Sequence, residues 1–239
     1  HIDITQRGRD GYRKPASELE LMPLREELAA LVRSARQRTG RPLRAATTLT
    51  VTPQNLPQMA DVVLWCLDHR DVFGLISFQP LAQVGRTRKG MEGVTAEELW
   101  SEVSRATGEL GAPFTRGGPV HFGHPECTRV IPLVVLERRG EPRRLLPLLR
   151  EDPEDASFLN ELLGFGFAGA AFRDDRPLEA AARLAGLLRT APGGAFGRIR
   201  RWAGERLRRE AGTTFARLAA DVLRGRVRLG GFTLAATTS

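Results

Sequence analysis

Polar residues with ligand-binding chemistry recur just after three predicted strands. The candidate binding residues are, in chain order, Asp3, Gln6, Arg9, Thr50, Asn55, Gln79, Gly85 and Arg86. Carboxylate and amide oxygens accept hydrogen bonds from sugar hydroxyls, and an arginine can hold a carboxylate through two parallel hydrogen bonds. A glycine lets a ligand approach the backbone closely. In α/β folds the carboxyl ends of strands form the ligand site, so these clusters predict one shared site.

Two of these clusters also have a purely structural interpretation. Asp3 and Arg9 can form an ion pair with each other. Thr52 can cap the helix that follows, with Pro53 in its first turn. The same helix start is also a favourable position for an anionic group, which keeps a ligand role for Thr50 and Asn55 open.

A fourth candidate lies in the segment Gly123-His124-Pro125-Glu126-Cys127. His124 and Cys127 are three residues apart around a proline, and this spacing lets both side chains reach one metal ion or cluster iron. Two ligands do not complete a site, so a structural loop is the alternative. Cys66, in contrast, lies on the apolar face of a predicted helix, and we expect it to fill the core.

The elements that carry the first three clusters alternate between strand and helix. Strands are predicted at residues 1–5, 43–51 and 72–78. Helices are predicted from Ser17 to Gly40, after Thr52, and from Thr95 to Thr107, with capping boxes at Ser17/Glu20 and Thr95/Glu98. This order predicts a parallel sheet with helices outside it.

The pattern changes after Gly111. A strand is predicted at 131–136, and helices at about 143–150, 155–163, 176–189, 196–210 and 213–224, while the tail after Arg224 has no clear pattern. We therefore expect a barrel-like part at 1–110, a His/Cys-containing extension at 111–140 and a helical C-terminal region at 141–239.

The net charge of +8 suggests a nucleic-acid partner, but only Lys14 and Lys89 among the 36 basic residues are lysines. Such an arginine bias, with abundant Ala, Gly and Leu, indicates a GC-rich coding sequence, and we do not expect nucleic acid as a partner. Two cysteines are too few for a disulfide scaffold and fit the reducing cytoplasm. No run reaches the roughly 18 apolar residues of a membrane span.

Together these motifs resemble the radical S-adenosylmethionine superfamily, most closely the branch of pterin-methylating enzymes and tetraether lipid synthases. The resemblance rests on His1-Ile2-Asp3 with Gln6 and Arg9, Thr50-Val51-Thr52 with Asn55-Leu56, Ser77-Phe78-Gln79-Pro80 with Gly85-Arg86, and Gly123-His124-Pro125-Glu126-Cys127. It covers about residues 1–136.

The resemblance implies an α/β fold, namely the C-terminal part of a partial (β/α)6 barrel, followed by a mostly helical region. It also implies S-adenosylmethionine bound to a [4Fe–4S] cluster, reductive cleavage to a 5′-deoxyadenosyl radical, and methylation or carbon–carbon bond formation at an unactivated carbon. An electron donor of the ferredoxin or flavodoxin type and a small-molecule or lipid substrate would be partners. Asp3 and Gln6 would lie near the ribose and methionine moieties, Gln79 and Gly85 near the adenine.

The resemblance also places Thr50 and Asn55 on the fifth barrel strand. Arg86 would hold an anionic group of the substrate or cofactor. Cys127, with His124 nearby, would contribute to an additional iron–sulfur cluster. The defining Cys-x3-Cys-x2-Cys loop is absent, so we expect it on preceding strands that this sequence lacks. The alternatives are a cluster-free barrel that binds a ligand or catalyses another reaction, and a basic module that binds anions or nucleic acid through Arg198–Arg209 and Arg224–Arg228.

Overall fold

The computed structural model describes residues 2–5, 16–82, 92–112, 120–121, 128–147, 155 and 195–237. The helices are α1 (Met22–Thr39), α2 (Met59–Asp68), α3 (Ala96–Gly108), α4 (Ala195–Ala211) and α5 (Phe215–Leu223), with 3-10 turns at Leu19–Leu21 and Leu56–Gln58. The strands are β1 (Ala45–Val51), β2 (Phe73–Pro80), β3 (Val120–His121), β4 (Thr128–Arg138), β5 (Arg144–Pro147) and β6 (Val227–Thr237).

The predicted alternation of strand and helix is confirmed over β1, α2, β2 and α3. β1 and β2 are parallel neighbours, with Leu49 opposite Phe78 and Thr50 opposite Gln79. One face of this pair is buried against α2 and α3, where Val63 and Trp100 lie in the main hydrophobic core. The chain is therefore a mixed α/β protein.

Two helix ends follow the capping signals in the sequence, whereas the predicted cap at Thr52 is wrong, because α2 begins at Met59 after a 3-10 turn and has no side-chain cap. α1 ends at Gly40, whose φ of 64° lies in the left-handed region that favours glycine. Thr95 and Glu98 form a complete capping box at the start of α3, as predicted. At Ser17 the box differs, because the Glu20 carboxylate accepts from the backbone nitrogen of Ala16.

Residues 2–5 form a bend and a turn, whereas the alternating sequence predicts a strand. The Asp3 carboxylate accepts the backbone N–H of Thr5 at 2.9 Å, and Ile4 donates its backbone N–H to the Glu18 carboxylate. Side chains thus take up the backbone donors that a strand ladder would use. The segment is fixed beside β1 by these side chains.

The chain after Arg224, which has no clear sequence pattern, contributes a central strand of the sheet. The order in the described part is β1–β2–β6–β4–β3, with β5 also paired to β4. β6 runs parallel to β2 and antiparallel to β4, which makes the sheet mixed. The predicted helix at 143–150 is wrong for Arg144–Pro147, because this stretch pairs with residues 133–136 of β4 as β5.

The predicted helices at 196–210 and 213–224 are confirmed as α4 and α5. Both pack on the face of the sheet opposite to α2 and α3, where Leu136, Leu218 and Val227 form a second, smaller core. The predicted helices at 155–163 and 176–189 lie outside the described residues, except for Asp155. Asp155 is helical and accepts a hydrogen bond from the Trp202 indole.

Candidate functional site

Polar side chains of β1 and β2 lie on one accessible face at the carboxyl ends of these strands. Thr50 and Gln79 are register partners and therefore share a face. Gln79 is exposed and Thr50 is half-buried, whereas their neighbours Leu49 and Phe78 point to the buried core on the opposite face. A hydroxyl and an amide are thus brought side by side at the edge where the sequence predicts a ligand.

Small and polar side chains continue this face across the sheet. Thr48 on β1, Ser77 on β2 and Thr233 on β6 are all half-buried. Ser77 lies opposite Ala235 of β6 in the parallel register. The hydroxyl groups of three strands thus share the face that carries Thr50 and Gln79. We call the face formed by Thr48, Thr50, Ser77, Gln79 and Thr233 the polar sheet face.

Asp3 connects the N-terminal turn to β1 and is only 2% exposed. One carboxylate oxygen accepts from the backbone nitrogen and the hydroxyl of Thr5, and the other accepts from the backbone nitrogen of Thr50 at 2.9 Å. A carboxylate that accepts N–H groups in this way forms charge-assisted hydrogen bonds. In this arrangement Asp3 positions the backbone that carries Thr50.

Asn55 is fully buried, and its side-chain amide makes four hydrogen bonds. Its oxygen accepts from the backbone nitrogen and the hydroxyl of Thr52, at 2.7 and 3.2 Å. Its nitrogen donates to the Glu18 carboxylate at 2.7 Å and to the Thr50 carbonyl at 3.0 Å. These bonds use the full capacity of the amide. Asn55 therefore holds the end of β1 in place from inside the protein.

A buried ion pair between Glu18 and Arg25 supports this arrangement and is not among the residues that the sequence singles out. Their side chains are 0% and 2% exposed. Glu18 accepts from Ile4 and Asn55 through one oxygen and from Arg25 through the other. Arg25 also donates to the backbone carbonyl of Ile2 at 2.7 Å. The pair thus links the N-terminal turn, α1 and the end of β1.

A signal for this pair does exist in the sequence. Arg25 lies four residues after Leu21 and three before Leu28, so it occupies a position of the apolar stripe of α1. An arginine at such a position is buried only with a partner, and Glu18 lies two helical turns before it.

The other predicted site residues lie outside the described part of the chain; they are Gln6, Arg9, Gly85, Arg86, His124 and Cys127. Described residues near the last four in sequence lie at the carboxyl edge of the sheet. Leu81 donates to the Val51 carbonyl at 2.8 Å, and Val94 donates to the Leu81 carbonyl at 3.0 Å, so the chain leaves and re-enters the described structure at the end of β1. β4 begins at Thr128, opposite Thr237 at the end of β6.

Cys66 is a core residue, as predicted. It is completely buried on α2, and burial raises the pKa of its thiol to about 12, with the positive charge of Arg25 acting weakly in the other direction. Its neighbours in the core are apolar side chains. Among the residues that the structure describes, no cluster of three or more His, Cys, Asp or Glu side chains could hold a metal ion.

A cavity lies on the same side of the sheet, at the end remote from Thr50 and Gln79. It has a volume of about 210 Å³ and lies between β4, β5 and β6 and the helices α4 and α5. Its walls are mainly apolar and include Val134, Leu146, Trp202 and Leu218, with Arg206 at one side. Such a cavity suits an apolar group and offers little polar recognition.

No family model matches the chain, and no curated protein matches it either. Within the described ranges, no helix has both the length and the apolar character needed to cross a bilayer.

Proposed function

We propose that the chain is the C-terminal part of a radical S-adenosylmethionine enzyme and that the polar sheet face binds S-adenosylmethionine. The observation that carries the proposal is that Asp3, Thr50 and Gln79 lie next to one another in the fold. Asp3 bonds to the Thr50 backbone at 2.9 Å, and Thr50 is the register partner of Gln79. The N-terminal turn and two strand ends, far apart in sequence, therefore lie side by side, and their order is the one that the resemblance implies.

The donors and acceptors at this edge fit the cofactor. S-adenosylmethionine offers ribose hydroxyls, an adenine edge and a charged amino-acid group. The Thr50 hydroxyl and the Gln79 amide can each donate and accept hydrogen bonds, and both lie on an accessible face. Thr48 and Ser77 add hydroxyl groups to the same face. In this proposal Gly85 and Arg86 complete the site.

The proposed fold is a partial (β/α)6 barrel in which β1 and β2 are the fifth and sixth strands. Preceding strands, outside this sequence, would supply the three-cysteine loop, since Cys66 and Cys127 alone cannot form it. When bound, a [4Fe–4S] cluster would deliver an electron to S-adenosylmethionine and so generate a 5′-deoxyadenosyl radical.

The remaining proposed features follow from the resemblance. Cys127, with His124 nearby, would contribute to an additional iron–sulfur cluster. The electron donor would be of the ferredoxin or flavodoxin type, and the reaction would be methylation or carbon–carbon bond formation on a small-molecule or lipid substrate. A reducing cytoplasm, expected from the two cysteines, is compatible with such clusters.

The first test is the reading frame upstream of the codon for His1. An in-frame extension that encodes Cys-x3-Cys-x2-Cys supports the proposal. A stop codon close upstream, with a start near His1, eliminates radical chemistry and leaves a cluster-free ligand-binding protein.

The second test concerns the binding face. We expect Gln79→Ala to weaken S-adenosylmethionine binding by about five- to tenfold, the effect of one lost hydrogen bond, in equilibrium dialysis of the anaerobically prepared protein. Gln37→Ala, an exposed glutamine of α1, is the matched control and should leave the dissociation constant unchanged. Equal dissociation constants for wild type and Gln79→Ala would remove Gln79 from the site.

A further inference from the structure

One side of α5 carries an apolar stripe that is partly exposed, most strongly at its C-terminal end. Phe215, Ala219 and Leu223 are spaced by four residues, so they lie in one row along the helix. Phe215 is 47% exposed and Leu223 is 80% exposed. Leu218, three residues after Phe215, is buried in the smaller core, so the stripe adjoins the buried side of the helix at its Phe215 end. Exposure therefore increases along the stripe from Phe215 to Leu223, where the row turns away from the core.

Arginines surround this stripe. Residues 195–228 contain ten arginines and three carboxylates, and they therefore carry seven of the eight net positive charges of the chain. Arg217, Arg224 and Arg226 are exposed on or directly after α5. At the other end of the stripe, Arg208 of α4 and the Phe215 ring both lie 3.9 Å from the Cβ position of Gly204.

The turn between β4 and β5 brings another positive charge to the Leu223 end. Arg139 is exposed, and it donates its backbone N–H to the carbonyl of Arg226 at 3.2 Å. Arg226 in turn donates to the backbone carbonyl of Asp221 on α5. Arginines far apart in sequence thus gather around the most exposed leucine of the described structure.

We propose that α5 docks on an anionic lipid surface, with Phe215, Ala219 and Leu223 in the headgroup–acyl boundary and the flanking arginines on the lipid headgroups. A helix with an apolar face and basic flanks lies in the plane of the membrane interface in this way. Each arginine near an anionic surface adds to the attraction. This docking surface does not depend on the reaction proposed above.

The side chains favour a lipid surface over nucleic acid. The centre of the basic surface is aliphatic, with Leu223 as its most exposed side chain. Single-stranded nucleic acids are bound by aromatic side chains on which bases stack, and a duplex is bound mainly through its phosphates. A protruding leucine contributes to neither, whereas burial in the acyl boundary removes its apolar surface from water.

The experiment is co-sedimentation of the full 239-residue chain with phosphatidylcholine vesicles, with and without phosphatidylserine, at low and high salt. We expect binding only to the vesicles that contain phosphatidylserine. Leu223→Ser should reduce the partition coefficient about tenfold, and the double variant Arg224→Gln/Arg226→Gln about 30-fold. Leu31→Ser and Arg38→Gln/Arg41→Gln are the matched controls, since these residues are exposed at α1, and they should bind like wild type.

Three outcomes would overturn the proposal. The first is a lack of sedimentation with anionic vesicles. The second is an equal loss in the α1 control variants, which would indicate unspecific charge attraction. The third is salt-dependent binding to duplex DNA that outcompetes the vesicles and is unaffected by Leu223→Ser, which would assign the basic surface to nucleic acid. A circular-dichroism melt of each variant ensures that the folded chain is compared.

Discussion

The Asp3 carboxylate accepts a hydrogen bond from the backbone nitrogen of Thr50 at 2.9 Å, although the two residues are 47 positions apart. The carbonyl of the same Thr50 accepts from the Asn55 amide at 3.0 Å. Both backbone groups of Thr50 are therefore bound by side chains, on the edge of β1 that does not face β2. These bonds fix the main chain directly behind the residue that is paired with Gln79.

Replacing Asp3 by Asn should loosen this connection. The amide nitrogen of asparagine is a donor, so one of the two positions that now accept N–H groups would face another donor. We expect a loss of about 1.5–3 kcal/mol in the free energy of unfolding, as for hydrogen bonds to charged groups. In hydrogen exchange, the Thr50 amide should lose protection, while the Leu81 amide, which donates to Val51, should keep it. Unchanged exchange at Thr50 would contradict this role of Asp3.

The buried pair of Glu18 and Arg25 should be the most sensitive charged pair described. Glu18→Gln leaves the Arg25 guanidinium buried without a counter-charge, and breaking a buried pair on one side typically costs about 3–5 kcal/mol. The control is Asp71→Asn, which breaks the exposed pair with Arg33 and should cost about 1 kcal/mol or less. Urea unfolding measures both. Similar losses in the two variants would show that burial does not determine the effect.

The strand-end site was accessible to sequence analysis because it follows from local patterns. β1, β2 and their helices are confirmed, and the parallel pairing then brings Thr50 next to Gln79. The prediction of a strand at residues 1–5 was wrong, because the Asp3 and Glu18 side chains bind the backbone donors there. That competition depends on contacts between segments that are distant in sequence, which a period-two pattern does not reveal.

β5 and β6 depend on tertiary structure even more strongly. Residues 144–147 lie in an arginine- and leucine-rich stretch with helical propensity, yet they pair with β4. β6 contains Gly230 and Gly231, which weaken a strand signal, and its place is determined by β2 on one side and β4 on the other. The position of Arg25 in the apolar stripe of α1 indicates burial, but only the folded chain shows that Glu18 also bonds to Ile4 and Asn55.

The capping box of α3 allows a test of pH dependence. Hydrogen bonds from the Thr95 backbone and hydroxyl hold the pKa of Glu98 below its ordinary value of 4.5. Thr95→Ala removes the hydroxyl and should move the pKa of Glu98 towards 4.5 in an NMR titration. It should also cost about 1 kcal/mol of stability. Thr39→Ala, whose hydroxyl bonds to Ala35 on α1, should leave the pKa of Glu98 unchanged.

The sign of the pH effect follows from the lowered pKa. The contribution of ionised Glu98 is fully present above pH 4.5 and is lost as the pH falls through its lower folded-state pKa. The difference in stability between wild type and Thr95→Ala should therefore shrink on acidification. A difference that stays constant down to the acid limit would mean that Glu98 takes no part in the cap.

The two cysteines should differ in their effect on iron binding. In the complete protein, reconstituted anaerobically, Cys127→Ala should lower the iron content by the equivalent of one cluster if Cys127 is a ligand of an additional cluster. Cys66→Ala is the matched control, because the Cys66 side chain is fully buried among apolar residues of the main core. Iron content and the visible absorption spectrum measure the effect. If both are the same for Cys127→Ala and wild type, Cys127 is not a cluster ligand, and the segment before β4 has a structural role instead.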